Sequence, residues 1–170
     1  MEKEIWKNYE KWKITIEENE KDILDKIDNP LYTIRYLIEE LYCNDCYDDI
    51  NLFIDDMNYL LGKLSDEEQQ QLYKYNYLQL NEYLEKDNLI KIYRGYTKSS
   101  VDYNKAVSFT PERSYAEQFA NLREEDYGEK GMVIEGYIPI NEVIWTYRQP
   151  YNKKLVEVVI KSGNFLQINK

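Results

Sequence analysis

The chain has 170 residues, a formal net charge of −10 and a hydrophobic fraction of 43%, which is typical of one globular domain, or of one domain with an added lobe. No apolar run approaches the roughly 20 residues that a membrane-spanning helix needs, and residues 1–6 carry charges of both signs instead of an apolar signal segment. We therefore expect a protein that acts without membrane partners in the cytoplasm of the cell that makes or receives it.

The charge is unevenly spread along the chain. Residues 1–88 hold 10 Lys and Arg against 22 Asp and Glu, a net of −12, and residues 89–170 hold 12 against 10, a net of +2. The acidic first half disfavours direct binding of nucleic acid, whereas the second half could hold an anionic ligand. A solvated acidic surface that keeps the protein in solution would account for the same pattern.

The chain lacks histidine, which excludes Ser-His-Asp and Cys-His hydrolases and His-ligated metalloenzymes. Its two cysteines, Cys43 and Cys46, have the spacing C-x-x-C. A zinc site needs about four ligands, and a redox pair normally follows a strand and opens a helix. Here the pair follows a helical pattern, so we interpret both residues as ordinary thiols and expect no metal site.

Residues 1–88 are predicted to form a helical lobe. Asn29 precedes Pro30 as an N-cap residue precedes a first-turn proline. Capping boxes are predicted at Ser65–Glu68 and, less clearly, at Thr15–Glu18. Apolar residues recur at helical spacing and are interpreted as core; they are Leu31, Ile34, Leu37, Ile38 and Leu41, then Ile50, Phe53, Ile54, Met57, Leu60, Leu61 and Leu64, then Leu72, Tyr75 and Leu78.

Residues 89–170 are predicted to form a second part, rich in strands, within one compact domain. A capping box at Ser114–Glu117 predicts a short helix with Ala116, Phe119 and Ala120 inward, followed by a polar loop over 121–131. The predicted strands are Ile90–Gly95, Lys105–Thr110, Met132–Ile140, Val143–Tyr147, Leu155–Ile160 and the edge strand Phe165–Ile168.

Three polar residues occupy unusual positions in these strands. Arg94 continues the apolar face of Ile90 and Ile92; its guanidinium could bind phosphate or carboxylate, or simply reach into water. The glycine that follows it would let a ligand approach the backbone closely. Glu157 lies within a Val-x-Val-x-Ile strand, where a carboxylate needs either a partner or a solvated cleft. With Ser108, the three side chains could line one cleft or form a buried Arg–Glu pair steadied by a hydroxyl.

These residues carry a resemblance to a known family. Tyr93-Arg94-Gly95, then Ser108-Phe109-Thr110 with Ala116-x-x-Phe119 behind it, then Glu157-Val158-Val159-Ile160, resemble the Arg–Ser–Glu signature of the mono-ADP-ribosyltransferases, which include bacterial toxins and phage-borne enzymes. The resemblance covers residues 89–168. It implies an α+β fold in which an ADP-ribosyltransferase-like split mixed sheet follows a helical N-terminal lobe.

The same resemblance implies the substrate and the residue roles. NAD⁺ would bind between two small sheets, with Arg94 on its pyrophosphate or ribose. Gly95 would bind the nicotinamide amide, and Ser108 would orient Glu157. Thr110 takes the third place of the family's Ser-Thr-Ser element, and Phe109 replaces its middle Thr. Glu157 would bind the ribose 2′-hydroxyl and stabilise the cationic sugar as nicotinamide leaves.

The chain departs from the family's pattern at Leu155. Members that modify arginine carry Glu two residues before the catalytic Glu, and Leu cannot activate an acceptor, so arginine as the target is in doubt. The segment before it, which includes Tyr151, Lys153 and Lys154, takes the place of the target-recognition loop. Tyr151 could stack on a substrate and the two lysines could meet an acidic partner, or the segment could be an ordinary exposed loop.

We therefore expect a glycosyltransferase that cleaves NAD⁺ and transfers ADP-ribose to a macromolecule, foremost a host or target protein. The Lys-, Asn-, Ile- and Tyr-rich composition suggests a low-GC bacterium or its phage, and hence a toxin or a phage anti-defence factor. Two alternatives stay open. One is a non-enzymatic protein that blocks a basic target through its acidic lobe, and the other is an NAD⁺ glycohydrolase.

Overall fold

The computed structural model of the protein describes residues 6–18, 28–42, 49–100, 106–148, 155–161 and 166–167. The α-helices are α1 (Tyr9–Glu18), α2 (Pro30–Tyr36, continued by a π-helical turn over Leu37–Tyr42), α3 (Ile50–Leu61), α4 (Asp66–Leu80) and α5 (Arg113–Tyr127). The strands are β1 (Leu89–Tyr96), β2 (Ser108–Phe109), β3 (Met132–Pro139), β4 (Val143–Arg148), β5 (Val156–Ile160) and β6 (Leu166–Gln167). The fold is therefore α+β, as predicted.

The chain divides into two compact units, Met1–Tyr75 and Asn76–Lys170. The end of α4 belongs to the second unit, because Asn76 is fully buried there and its side-chain amide donates to the carbonyl oxygens of Val143 and Ile144, both at 3.2 Å. Thr146 donates in turn to the Asn76 side-chain oxygen at 3.1 Å. The boundary after Asn88 that the composition suggests remains a prediction.

Two helix starts in the first unit follow the predictions from local sequence. Asn29 caps α2 by accepting a hydrogen bond from the Tyr32 amide at 2.9 Å, and Pro30 is the first helical residue. At the start of α4, the Ser65 hydroxyl accepts from the Glu68 amide at 3.3 Å while the Glu68 carboxylate accepts from the Ser65 amide at 2.8 Å. This reciprocal pair is a capping box.

The capping box predicted at Thr15 is wrong, because Thr15 lies inside α1 and its hydroxyl donates to the Lys11 carbonyl at 3.0 Å. The apolar stripes of α2 and α3 are largely core, as predicted, whereas Leu78 of α4 is 45% exposed and is not. Cys43 and Cys46 lie outside the described residues.

All strand pairings among the described residues of the second unit are antiparallel, so the mixed sheet that the resemblance implied is wrong. The strands form two three-stranded sheets, with strand orders β1–β3–β6 and β2–β5–β4. They are joined where Tyr93 of β1 and Thr110 exchange backbone hydrogen bonds of 2.7 and 2.9 Å. Apolar residues of both sheets share one buried cluster; they include Ile90, Ile92, Phe109, Ile138, Val156, Val158 and Ile160. This cluster defines the inner faces of the sheets. It therefore also determines on which face each polar residue of β1, β2 and β5 lies.

Helix α5 differs from its prediction in extent and orientation. It starts at Arg113, so Ser114 lies in its first turn and is not a cap, and it continues to Tyr127 through residues predicted as loop. Ala116 and Ala120 are buried as predicted, but Phe119 is 40% exposed. Within the described residues, no helix is both long and apolar enough to cross a membrane.

Candidate active site

A pocket of about 340 Å³, open to solvent, lies at the junction of the two sheets and the first turns of α5. Its walls are formed by Tyr93, Arg94, Gly95, Ser108, Phe109, Thr110, Tyr115, Ala116, Phe119 and Glu157. The structure therefore brings together Arg94, Ser108 and Glu157, the three polar strand residues singled out in the sequence. What each of them does remains a prediction.

The carboxylate of Glu157 is placed by strand register. Ser108 of β2 pairs with Val159 of β5, and Glu157 lies two residues earlier on the same face. Val156 and Val158, on the opposite face, are fully buried and hold β5 in place. As a result the Ser108 hydroxyl donates a hydrogen bond to the Glu157 carboxylate, which fixes the orientation of that carboxylate in the pocket.

Arg94 is directed into the pocket and does not simply reach into bulk water. It follows Ile90 and Ile92 on the inner face of β1, and both isoleucines are fully buried. Its Nη1 donates to the backbone carbonyl of Ser108 at 2.7 Å. This bond uses one of the five N–H donors of the guanidinium. It anchors one side of that group beside β2, the strand that carries Ser108.

Gly95 is required by helix packing. A Cβ atom at this position would lie 2.2 Å from the carbonyl oxygen of Ala116 and 2.5 Å from the amide nitrogen of Ala120, so only glycine lets α5 lie this close to β1. The element that approaches the backbone here is thus the helix, whereas the sequence suggested a ligand. In an antiparallel strand, backbone groups alternate between the two edges. Gly95 therefore presents its backbone amide and carbonyl to the same edge as Tyr93, where the pocket lies.

Phe109 and Thr110 line the pocket from β2 and the residue behind it. Phe109 is 3% exposed and belongs to the shared core, so it is a wall rather than a mobile side chain. The Thr110 hydroxyl accepts a hydrogen bond from the Glu112 amide at 3.1 Å and is buried. The strand itself is shorter than the predicted Lys105–Thr110, since it spans Ser108–Phe109.

Three aromatic residues of the pocket are not among the predicted site residues. Tyr93 comes from β1, while Tyr115 and Phe119 lie one turn apart on α5 and pack edge-to-face with ring centroids 5.1 Å apart. The spacing of four residues between Tyr115 and Phe119 is visible in the sequence. The sequence pattern, however, places Phe119 in an apolar stripe that is predicted to face inward. The exposure of Phe119 shows that its ring faces the pocket rim instead.

Outside the pocket wall, Tyr83 fixes the residue that precedes α5. Its hydroxyl donates to Glu112 Oε1 at 2.6 Å. Burial, and secondly this hydrogen bond to a carboxylate, raise the pKa of Tyr83 well above its ordinary value. This hydrogen bond ties Glu112, and with it the start of α5, to the segment that carries Tyr83.

The predicted acceptor residues are not all part of this geometry. Leu155, directly before β5, is half-buried and does not line the pocket. Tyr151, Lys153 and Lys154 lie outside the described residues, so their predicted role in target recognition stays a prediction.

Comparison with known proteins gave no match: no protein-family model, no curated protein and no solved structure is significantly similar to the chain.

Proposed function

We propose that the protein is an NAD⁺-dependent ADP-ribosyltransferase that acts at this pocket. The observation that carries the proposal is a carboxylate, Glu157, oriented by the Ser108 hydroxyl and facing the same pocket as the Arg94 guanidinium. The two sheets joined at Tyr93 and Thr110 support the finer proposal of an ADP-ribosyltransferase-like split sheet.

The residues of the pocket fit part of NAD⁺. The pocket is open to solvent, so the adenosine half of NAD⁺ can lie outside it while the nicotinamide ribose binds at Glu157. Phe109 and Tyr115 offer aromatic walls to a pyridinium ring. The edge of β1 at Gly95 can hydrogen-bond a carboxamide, and the guanidinium of Arg94 can bind a phosphate.

In the proposed reaction, Glu157 acts on charge that develops during bond cleavage. Its carboxylate would accept a hydrogen bond from the ribose 2′-hydroxyl and stabilise positive charge on the sugar as the bond to nicotinamide breaks. Ser108 contributes by holding the carboxylate in one orientation, which avoids reorganisation when the charge appears. Neither step requires an imidazole, which agrees with a chain that has no histidine.

The acceptor would be a macromolecule, foremost a protein of a host or target cell. Leu155 stands where arginine-modifying enzymes carry an acidic residue and cannot take a proton from an acceptor. An acceptor that is nucleophilic without such help therefore fits better than arginine, and water would make the protein a glycohydrolase. A toxin or phage anti-defence role is consistent with either reaction.

Incubation with NAD⁺ that carries a label on the adenylate tests the proposal. We expect loss of NAD⁺, release of nicotinamide and label on a macromolecule from a cell lysate. Label found only in free ADP-ribose would show that the protein hydrolyses NAD⁺ and does not transfer ADP-ribose. Intact NAD⁺ after incubation with lysate would reject the enzymatic proposal and favour a protein that acts by binding alone.

A further inference from the structure

A cluster of paired charges lies on the outer face of the β1–β3–β6 sheet, beside the pocket. It consists of Lys91, Glu135 and Arg113, around the ring of Tyr93, which is itself part of the pocket wall. Glu135 lies directly across from Tyr93 in the β1–β3 register, and Lys91 is two residues before Tyr93 on the same face. Arg113 is the first residue of α5.

Glu135 forms an ion pair with both cations, one through each carboxylate oxygen. Its Oε1 lies 3.2 Å from Lys91 Nζ and its Oε2 lies 3.2 Å from Arg113 Nη1. Arg113 also contacts Glu117 at 3.0 Å, yet its side chain is 60% exposed. Its guanidinium carbon lies 5.9 Å from the centroid of the Tyr93 ring, so an accessible cation lies beside a residue of the pocket wall.

Exposed ion pairs of this kind contribute little to stability, so displacement of Glu135 from Arg113 by another anion would cost the fold little. In the proposed function the nicotinamide ribose lies in the pocket at Glu157, so the phosphates of NAD⁺ would extend toward its rim. A phosphate oxygen and a carboxylate oxygen offer the same geometry to a guanidinium. A diphosphate at the rim could therefore take the place of Glu135 on Arg113.

We propose that Arg113 is a second phosphate-binding side chain for the dinucleotide substrate, and that Glu135 occupies it in the free protein as a competing internal anion. The proposal rests on the proposed function, because NAD⁺ supplies the diphosphate. Arg94 binds from inside the pocket and Arg113 from its rim, so the two guanidinium groups would hold the diphosphate between them. Lys91 adds positive charge next to the site, but the two guanidinium groups can hold the diphosphate without it.

Opposite effects of two substitutions test this inference by calorimetric titration with NAD⁺ and, separately, with ADP. Arg113→Ala should weaken both by about tenfold, or about 1.4 kcal/mol. Glu135→Gln should tighten both by about two- to fivefold, because it removes the competing charge at Arg113 Nη1, while Glu117 still pairs with Nε. A general loss of folding cannot produce tighter binding. Arg123→Ala is the matched control, since Arg123 lies on the same helix and contacts Tyr127 at 3.1 Å; it should change neither affinity.

Nicotinamide riboside, which has the ring and ribose but no phosphate, separates a phosphate contact from other effects. Its affinity should be the same for the wild type and for Arg113→Ala; an equal loss would overturn the inference. The inference also fails if Arg113→Ala behaves like Arg123→Ala, or if Glu135→Gln does not tighten binding. Should ADP bind in an Arg113-dependent manner while NAD⁺ is never cleaved, the rim site stands and the proposed enzymatic function fails. If neither NAD⁺ nor ADP binds to the wild type, both are rejected.

Discussion

Replacement of Glu157 by Gln removes one negative charge from the pocket and keeps the size of the side chain. The amide oxygen can still accept the hydrogen bond that Ser108 donates. Hydrogen bonds to charged groups contribute about 1.5–3 kcal/mol and neutral ones about 0.5–1.5 kcal/mol. The variant should therefore lose about 1 kcal/mol of unfolding free energy, which for a chain of this length lowers the Tm by roughly 2–4 °C.

The effect on rate should be much larger than the effect on stability. If Glu157 stabilises charge that exists only in the transition state, its loss should slow nicotinamide release by about 10²–10³ and leave NAD⁺ affinity nearly unchanged. The assay is a single-turnover measurement of nicotinamide release beside thermal melts with and without NAD⁺. Glu125→Gln makes the same chemical change on the exposed surface of α5 and serves as the control.

A large fall in stability would refute this reasoning. If Glu157 were mainly the structural partner of a buried cation, removing its charge would cost about 3–5 kcal/mol of unfolding free energy, and the Tm would fall by more than about 6 °C. A variant that melts near the wild type and cleaves NAD⁺ at the wild-type rate would equally refute a catalytic role for the carboxylate.

Three further substitutions test the packing and the acceptor side. Gly95→Ala should lower the free energy of unfolding by about 1–3 kcal/mol in urea denaturation, because its Cβ would lie 2.2 Å from a helix carbonyl oxygen. Gly62→Ala should not lower it, because no atom lies nearer than 3.4 Å to the Cβ there. Equal losses would contradict the packing argument. Ser65→Ala should lower the free energy of unfolding by about 1 kcal/mol in the same assay. An unchanged urea midpoint would show that the capping box is dispensable. Leu155→Glu should retain NAD⁺ affinity in calorimetry; a loss as complete as that of Arg94→Ala would place Leu155 at the NAD⁺ site.

Features that depend on neighbouring residues are predictable from the sequence. The caps at Asn29 and Ser65 are local hydrogen bonds, and the alternation of β1 and β5 sets the faces of Arg94 and Glu157. Because strand side chains alternate with period two, a polar residue in an apolar strand indicates by itself which face must hold a partner or a cleft.

Features that depend on distant contacts are not predictable in this way. Helix α5 packs through Ala116 and Ala120 against backbone at β1 and just before β3, where Gly95 and Gly131 leave room for it. Residues 121–127 are mostly polar, so the sequence of the second half of α5 favours a loop. The role of Phe119 as a pocket wall depends on this same packing.

Transfer of ADP-ribose by this pocket can be tested directly in a cell lysate. Lysate of a low-GC bacterium would be incubated with NAD⁺ and either the wild type or the Glu157→Gln variant, and its proteins would be searched for ADP-ribose adducts by mass spectrometry. We expect adducts on one or a few proteins with the wild type and almost none with the variant. Intact NAD⁺ and unmodified proteins in both reactions would contradict it.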